Sequence, residues 1–168
     1  SQLAKVPGVR AITHQTALGS IFQDAQNGIQ AYATDIDSYL DVIPEFKVPA
    51  DQREAMRHTR MGAIVGADLA KRFNWHVGDR ITLHSNAWVN RDGSSEWPLD
   101  IVGLANARPE DDRLFANDLI FNYAYLDSAR ATGTGTVNHF VVSIENNARA
   151  SEVASAIDRL FANYSNET

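Results

Sequence analysis

Short apolar segments bounded by turn residues dominate the hydrophobic pattern of this chain and predict several β-strands. Residues 9–16 are rich in β-branched side chains, and in residues 28–36 apolar or small residues alternate with polar ones. Both patterns are typical of strands. The same reasoning predicts further strands at 80–84, 119–122 and 137–145.

The clearest strand–helix unit lies at residues 61–75. The apolar run at 61–65 has the length of a buried strand, and Leu69, Ala70 and Phe73 then share one helical face. Shorter helices are predicted at 51–59 and 125–130, and a flexible connector at 131–136. The longest predicted helix, 151–164 with Asn147 or Ser151 as its N-cap, carries an apolar stripe of Val153, Ile157, Leu160, Phe161 and Tyr164.

A hairpin is predicted around Asp92–Gly93, because this dipeptide readily adopts the positive φ angles of a type I′ turn. With these two residues at the turn centre, Trp88 lies opposite Trp97. A longer loop through residues 90–95 is the alternative. Trp88 and Trp97 have two interpretations: they stiffen the hairpin by packing across its strands, or they form an aromatic tip that contacts a partner protein. Trp75 is interpreted as a core residue.

Strands and helices mix without regular βαβ alternation, which favours an α+β fold with a mixed or mostly antiparallel sheet. The chain has 168 residues, of which 44% are hydrophobic, so it is long enough to form a core of its own. It contains no run of about 18 apolar residues, so no membrane span is predicted within it. The 168 residues are therefore predicted to form one domain.

Charge and composition narrow the partners and the chemistry. Lys and Arg total 15 against 21 acidic residues without a basic cluster, so nucleic acid is not expected as a partner. The absence of cysteine excludes disulfides, thiolate metal sites and a cysteine nucleophile. No phosphate-binding glycine motif or nucleophile elbow is present, and no cofactor is expected.

Three groups of side chains were considered for chemistry. His14, His84 and His139 lie on predicted strands and could converge on a metal, although facing solvent is the simpler interpretation. Asp35, Asp37 and Asp41 lack the glycine and terminal glutamate of a calcium loop, so a turn or a helix start accounts for them better. The carboxylates of Glu110, Asp111 and Asp112 lie in a charged loop with flanking arginines. No catalytic set emerges, and the chain is not expected to be an enzyme.

Several segments resemble the MacB-like periplasmic core domain of FtsX/MacB-type ABC-transporter permeases. In residues 62–83 an apolar strand and Val-Gly are followed by a helix with Leu-Ala, then Val-Gly-Asp and another strand, which is the family's pattern. The opening Val-Pro-Gly-Val at 6–9, Asp-Gly-Ser-Ser-Glu-Trp at 92–97 with Ile-Val-Gly at 101–103, and the helix at 154–163 follow in the family's order. The departure from the family is the long hairpin that carries Trp88 and Trp97.

The resemblance implies a non-catalytic extracytoplasmic domain between two membrane helices of a permease in the bacterial inner membrane, facing the periplasm. It implies two lobes, a porter-like α/β lobe of residues 1–48 plus 136–168 and an inserted, mostly β lobe of residues 49–135. The implied role is mechanotransmission, in which ATPase motion reaches cargo or a partner protein through membrane helices. The implied partners are the rest of the permease, its cytoplasmic ATPase, a periplasmic adaptor or cargo protein, and a second permease. The alternatives are a free-standing periplasmic solute-binding module and, last, an enzyme.

Overall fold

The structure, a computed structural model, describes residues 2–105 and 116–165, with side chains as far as Ala162. The strands are β1 Val9–Phe22, β2 Asp24–Thr34, β3 Gly62–Gly66, β4 Arg80–His84, β5 Glu96–Ala105, β6 Leu119–Asn122 and β7 His139–Ile144. The helices are α1 Ile36–Val42, α2 Ala50–His58, α3 Ala67–Phe73, α4 Tyr123–Ala129 and α5 Ala150–Ser165, with short 3-10 helices at Gln2–Lys5 and Asn147–Arg149. The predicted α+β class and mixed sheet are confirmed.

Six strands of the sheet close into a ring. The strand order is β2-β6-β3-β5-β4-β1-β7, and an additional pairing of β2 with β1 completes the circle. Two neighbouring pairs, β2 with β6 and β3 with β5, are parallel, and the others are antiparallel. β7 lies outside the ring and pairs with β1 alone.

Both faces of β3 and β6 are buried, which explains their continuous apolar sequences. Val65 and Phe121 point into the main core, whereas Ile64 and Ile120 pack on the opposite side against α1 and α2. The main core also contains Trp75, which is 5% exposed as predicted for a core residue. The ring therefore has a packed interior and a second apolar layer under the helices.

Helix α1 begins at the acidic segment that was considered as a calcium loop. Asp35 is its N-cap, and its carboxylate accepts a hydrogen bond from the backbone N–H of Ser38 at 2.9 Å. The predicted helix start is confirmed. The N-cap of the C-terminal helical segment is different from either predicted residue, because Asn146 caps the 3-10 helix that precedes α5.

The predicted register of the tryptophan hairpin is wrong. In the β4–β5 pair Trp97 lies opposite Leu83 rather than Trp88, and Leu99 lies opposite Ile81. The backbone N–H of Ser85 still bonds the carbonyl of Ser95 at 2.9 Å, but beyond this pair residues 86–94 leave the ladder. The longer loop is the correct alternative, because the Trp97 side chain is taken into the core beside Leu83.

β1 reaches from one predicted lobe into the other. Its first half pairs with β7 from Val9 to Gln15, its second half pairs with β2 from Gln15 to Phe22, and Ile21 pairs with His84 of β4. The boundaries of the two lobes, 1–48 plus 136–168 and 49–135, stay a prediction. Backbone pairing, side-chain bonds and a shared core connect the two sets of residues. β2 pairs with β6 from Ala31 to Thr34, and Asp37 of α1 bonds Arg53 and Arg57 of α2.

Candidate functional site

The two ends of the described chain meet beside the start of β1. Val9 pairs with Ile144 of β7, and the backbone N–H of Glu145 donates to the carbonyl of Gly8 at 2.9 Å. Gly8 has φ +88°, and a Cβ there would lie 2.8 Å from Cγ2 of Val153 on α5. Only glycine allows this close approach at a positive φ angle. We call this contact the end junction.

Beyond the end junction, α5 is poorly covered. Val153 is 5% exposed, whereas Phe161 on the same apolar stripe is 50% exposed. Within the described residues, the helix packs mainly on the 3-10 helix that precedes it and has few contacts with the sheet.

The two tryptophans considered for partner contact point inward. Trp97 is fully buried, and its indole N–H donates to the backbone carbonyl of Trp88 at 3.0 Å. Trp88 is partly buried, and its indole N–H donates to the carbonyl of Ala17 on β1 at 3.0 Å. Trp97 is therefore not part of any contact surface in this conformation. Contact of a partner with the exposed part of Trp88 stays a prediction.

Arg130, at the end of α4, lies under Trp88 and is fully buried. Its Nη2 donates to Asp127 Oδ1 at 2.6 Å and to the carbonyl of Thr136 at 2.7 Å, and lies 3.3 Å from the Tyr123 hydroxyl. The guanidinium carbon is 5.0 Å from the centre of the Trp88 ring and 5.7 Å from that of Tyr123. We call Arg130 with these four residues the Arg130 clamp.

The clamp joins two segments that we call the tryptophan loop, residues 85–95, and the connector, residues 131–138. Arg91 N–H donates to the carbonyl of Ala129, and Ala131 N–H donates to the carbonyl of Val89, at 2.9 and 2.8 Å. Gly135 N–H donates to Asp127 Oδ1 at 2.8 Å, which lowers the pKa of Asp127 together with the Arg130 bond. The segment predicted as a flexible connector is therefore bonded to α4 and to the tryptophan loop.

The sequence pattern does not predict the clamp. It places Arg130 only at the end of a short helix and gives no role to Tyr123 or Asp127. The i, i+3 spacing of Asp127 and Arg130 was a signal for an ion pair. Nothing in the local pattern indicates that Arg130 is buried beneath Trp88.

The three strand histidines do not converge. His14 and Ile21, the partner of His84, are seven residues apart on β1, which is roughly 23 Å. His139 pairs with Gln15, so it points to the opposite face from His14. Within the described residues no group of three His, Asp or Glu side chains is arranged to hold a metal ion. The carboxylates of Glu110, Asp111 and Asp112 lie outside the described residues.

The acidic residues of α1 make structural contacts. Asp37 accepts hydrogen bonds from Arg57 and Arg53 of α2 at 2.6–3.0 Å, and these bonds lower the pKa of Asp37 to about 2. The carbonyl of Asp41 accepts a bond from Arg10 Nη2 at 3.0 Å. These contacts fix α1 to α2 and to β1.

The cavities on the surface of the described residues include the following three. One of about 320 Å³ beside the start of β1 is lined by Ala4, Ala11, His14 and Phe140. A second of about 420 Å³ lies between Asp37, Arg57 and Asn122. The third, of about 510 Å³, is an open groove at the far end of β1 lined by Phe22, Arg72, Phe73 and Arg80. All three are open to solvent rather than enclosed as a small-molecule site usually is.

The fold is shared with extracytoplasmic domains of ABC-type transporters. The extracellular domain of the noncanonic ABC-type transporter YknZ from Gram-positive bacteria matches with a TM-score of 0.63 at 13% identity, over 98% of this chain and 81% of that one. The periplasmic region of MacB from Actinobacillus actinomycetemcomitans matches with a TM-score of 0.61 at 14% identity, over 97% of this chain and 71% of that one. A comparison with curated protein sequences finds no significant match.

The family follows from the sequence itself. The family model of the MacB-like periplasmic core domain matches residues 1–160, so the chain belongs to this family. It is an extracytoplasmic domain of an ABC-transporter permease of the MacB type, as the resemblance implied. Within the described residues, no helix has the length and apolar character needed to cross a membrane.

Proposed function

We propose that this domain is a mechanotransmission element that relays motion from the membrane helices of its permease to a partner or cargo protein outside the cytoplasm. An ABC-transporter permease works with an ATPase, so the energy for that motion would come from ATP hydrolysis on the cytoplasmic side. The proposed location is the bacterial inner membrane, with the domain facing the periplasm.

The end junction is the observation that supports this proposal. β7 and the first half of β1 are paired next to α5, and the second half of β1, from Gln15 to Phe22, belongs to the ring. A force applied to either end of the domain would therefore act on one continuous strand. Because β7 is hydrogen-bonded to β1 along most of its length, displacement of β7 would act on the backbone of β1.

The proposed moving units are the segment of β7 and α5 on one side and the six-stranded ring on the other. The division into two lobes, 1–48 plus 136–168 and 49–135, is a separate proposal. The proposed partners are a periplasmic adaptor or cargo protein and a second permease. Contact through the exposed part of Trp88 belongs to the same proposal. A free-standing solute-binding module is not proposed, because the family is that of a permease domain.

Distance measurements between spin labels test the proposal in the complete permease with its ATPase, reconstituted in lipid. The chain contains no cysteine, so labels introduced by Gln26→Cys and Ser151→Cys would be the only ones within the domain. Both positions are exposed, on β2 and α5. We expect ATP to shift the distance between them by about 2 Å or more, the scale of element shifts in coupled proteins.

A second label pair is the matched control. Gln26→Cys with Thr82→Cys places both labels on exposed ring positions, and this distance should stay constant with ATP. A hydrolysis-inactive ATPase should abolish the shift of the first pair. An unchanged Gln26–Ser151 distance during active hydrolysis would overturn mechanotransmission through this domain.

A further inference from the structure

The edge of β1 has a gap in its strand pairing where the ring meets β7. β7 pairs with β1 as far as Gln15, and β4 pairs with β1 only at Ile21. Between these points other groups bond the strand. Asn138 Oδ1 accepts from the Ala17 N–H at 3.1 Å, the Trp88 indole donates to the Ala17 carbonyl, and Ser85 Oγ donates to the Gly19 carbonyl at 2.8 Å.

These groups come from the two segments that the Arg130 clamp holds together. Asn138 is the last residue of the connector, and Ser85 and Trp88 belong to the tryptophan loop. The connector contains Gly133 and Gly135, both with positive φ. A segment rich in Gly and Thr is flexible unless hydrogen bonds hold its backbone. The carbonyl of Thr136 is held by both Arg130 and Tyr123, each at 2.7 Å.

Burying a cation has a cost that needs an explanation. The guanidinium has one carboxylate partner within the described residues, Asp127, and its Nε and Nη1 lack hydrogen-bond partners there. Removing a charge from water costs about several kcal/mol in proteins, and the attraction within a single ion pair rarely offsets this cost. The aromatic faces of Trp88 and Tyr123 compensate part of this cost. Apolar residues in place of a buried ion pair often leave a protein equally or more stable, but an apolar residue at this position could not bond the connector.

We propose that Arg130 is a positioning residue for coupling. It holds the connector in a fixed conformation, so that displacement of β7 reaches the tryptophan loop and the ring. This inference rests on the proposed mechanotransmission. Two routes then lead from the end junction to the ring, one along β1 and one through the connector and the clamp. The two routes rejoin at Ala17, whose N–H and carbonyl are bonded by Asn138 and Trp88.

Hydrogen exchange in this chain tests the clamp. Arg130→Met should raise the exchange rates of the Arg91, Ala131 and Gly135 amides by about tenfold or more, because local opening exposes them. Arg130→Lys, which keeps a cation and a donor, should restore part of the protection. Arg72→Met is the matched control, because Arg72 also stacks on an aromatic ring, 4.8 Å from the centre of Phe73, but is exposed and lies outside the clamp.

A second substitution separates positioning from simple stability. Val153→Ala loosens the end junction and should raise exchange in β7 and also at Arg91, through the connector. In the Arg130→Met background the effect of Val153→Ala on Arg91 should disappear while its effect on β7 remains. Persistence of the Arg91 effect without Arg130 would overturn the inference, as would full protection of the three clamp amides in Arg130→Met.

Should Arg130→Met fail to fold, Trp88→Phe gives a milder test, because it keeps one aromatic ring and removes the donor to Ala17 together with the five-membered ring of the indole. In the complete permease, labels at Ala87→Cys and Ser151→Cys report on the same route. No ATP-dependent shift in the wild-type domain would overturn the proposed function. An equal shift in the wild type and in Arg130→Met or Trp88→Phe would overturn the clamp inference alone.

Discussion

The indole N–H of Trp97 donates to the backbone carbonyl of Trp88 at 3.0 Å, and this bond fixes the start of the tryptophan loop above the core. Trp97→Phe keeps an aromatic ring but leaves that carbonyl without its donor and opens a small cavity. We expect the free energy of unfolding to fall by about 1–3 kcal/mol, measured by urea denaturation. Val89→Ala in the same loop is the control, because Val89 is 40% exposed. An equal effect of both substitutions would contradict the assigned role of Trp97.

A close contact between α2 and β5 leaves no room for a side chain at Gly103. A Cβ at Gly103 would lie 2.9 Å from Oε1 of Gln52 and 3.3 Å from Cγ1 of Ile64. The same Oε1 accepts the backbone N–H of Leu104 at 2.9 Å. Gly103→Ala should therefore destabilise the domain by about 1–3 kcal/mol in thermal or urea unfolding. Gly28→Ala on β2, where a Cβ would meet nothing within 4 Å, should cause no loss.

Asp118 predicts a pH dependence of stability. Burial raises its pKa from the usual 3.8 to about 6, because the charged carboxylate is poorly solvated in the folded state. A raised folded-state pKa gives stability that is present below pH 4 and is lost as the pH rises through about 6. Relative to the wild type, Asp118→Asn should therefore gain about 1–2 kcal/mol between pH 4 and pH 7.5 in urea unfolding. A difference that does not change with pH would contradict this assignment.

We predict a second pH-dependent contribution to stability, from the pair of His84 and Glu96 on β4 and β5. Its Nδ1 lies 2.8 Å from Glu96 Oε1, and the bond to Glu96 raises the pKa of His84, with a further contribution from Asn86. The stabilisation by this pair is present below the unfolded-state pKa and is lost as the pH rises through the folded-state value. In an NMR titration, Glu96→Gln should lower the pKa of His84, whereas Glu152→Gln on α5 should leave it unchanged. Equal pKa values in the wild type and Glu96→Gln would contradict the pairing.

Elements whose signals are local could be predicted from the sequence. β4 and β6 have the predicted bounds, and β3 and α3 lie where the apolar run and the face of Leu69, Ala70 and Phe73 place them. Such segments are predictable because burial on one or both faces leaves its period in the sequence.

The register of β4 and β5 and the Arg130 clamp could not be predicted in this way. The Asp92–Gly93 turn signal suggested a pairing that would have put Trp97 opposite Trp88. Burial of Trp97 beside Leu83 outweighs that turn preference, and the bonds of the loop to Ala129 and Ala131 are made with residues some 40 positions away. Contacts at this sequence separation leave no periodic pattern from which they could be inferred.

The closed ring also has a consequence for how the domain behaves in solution. Among the described strands, β7 is the only one with a single pairing partner, and none of its residues is fully buried. Phe140 on this strand is 48% exposed. Free strand edges with apolar side chains are templates for aggregation. Self-association of the isolated domain should therefore begin at the free edge of β7. Substitution of Phe140 by a charged residue would be the simplest way to reduce it.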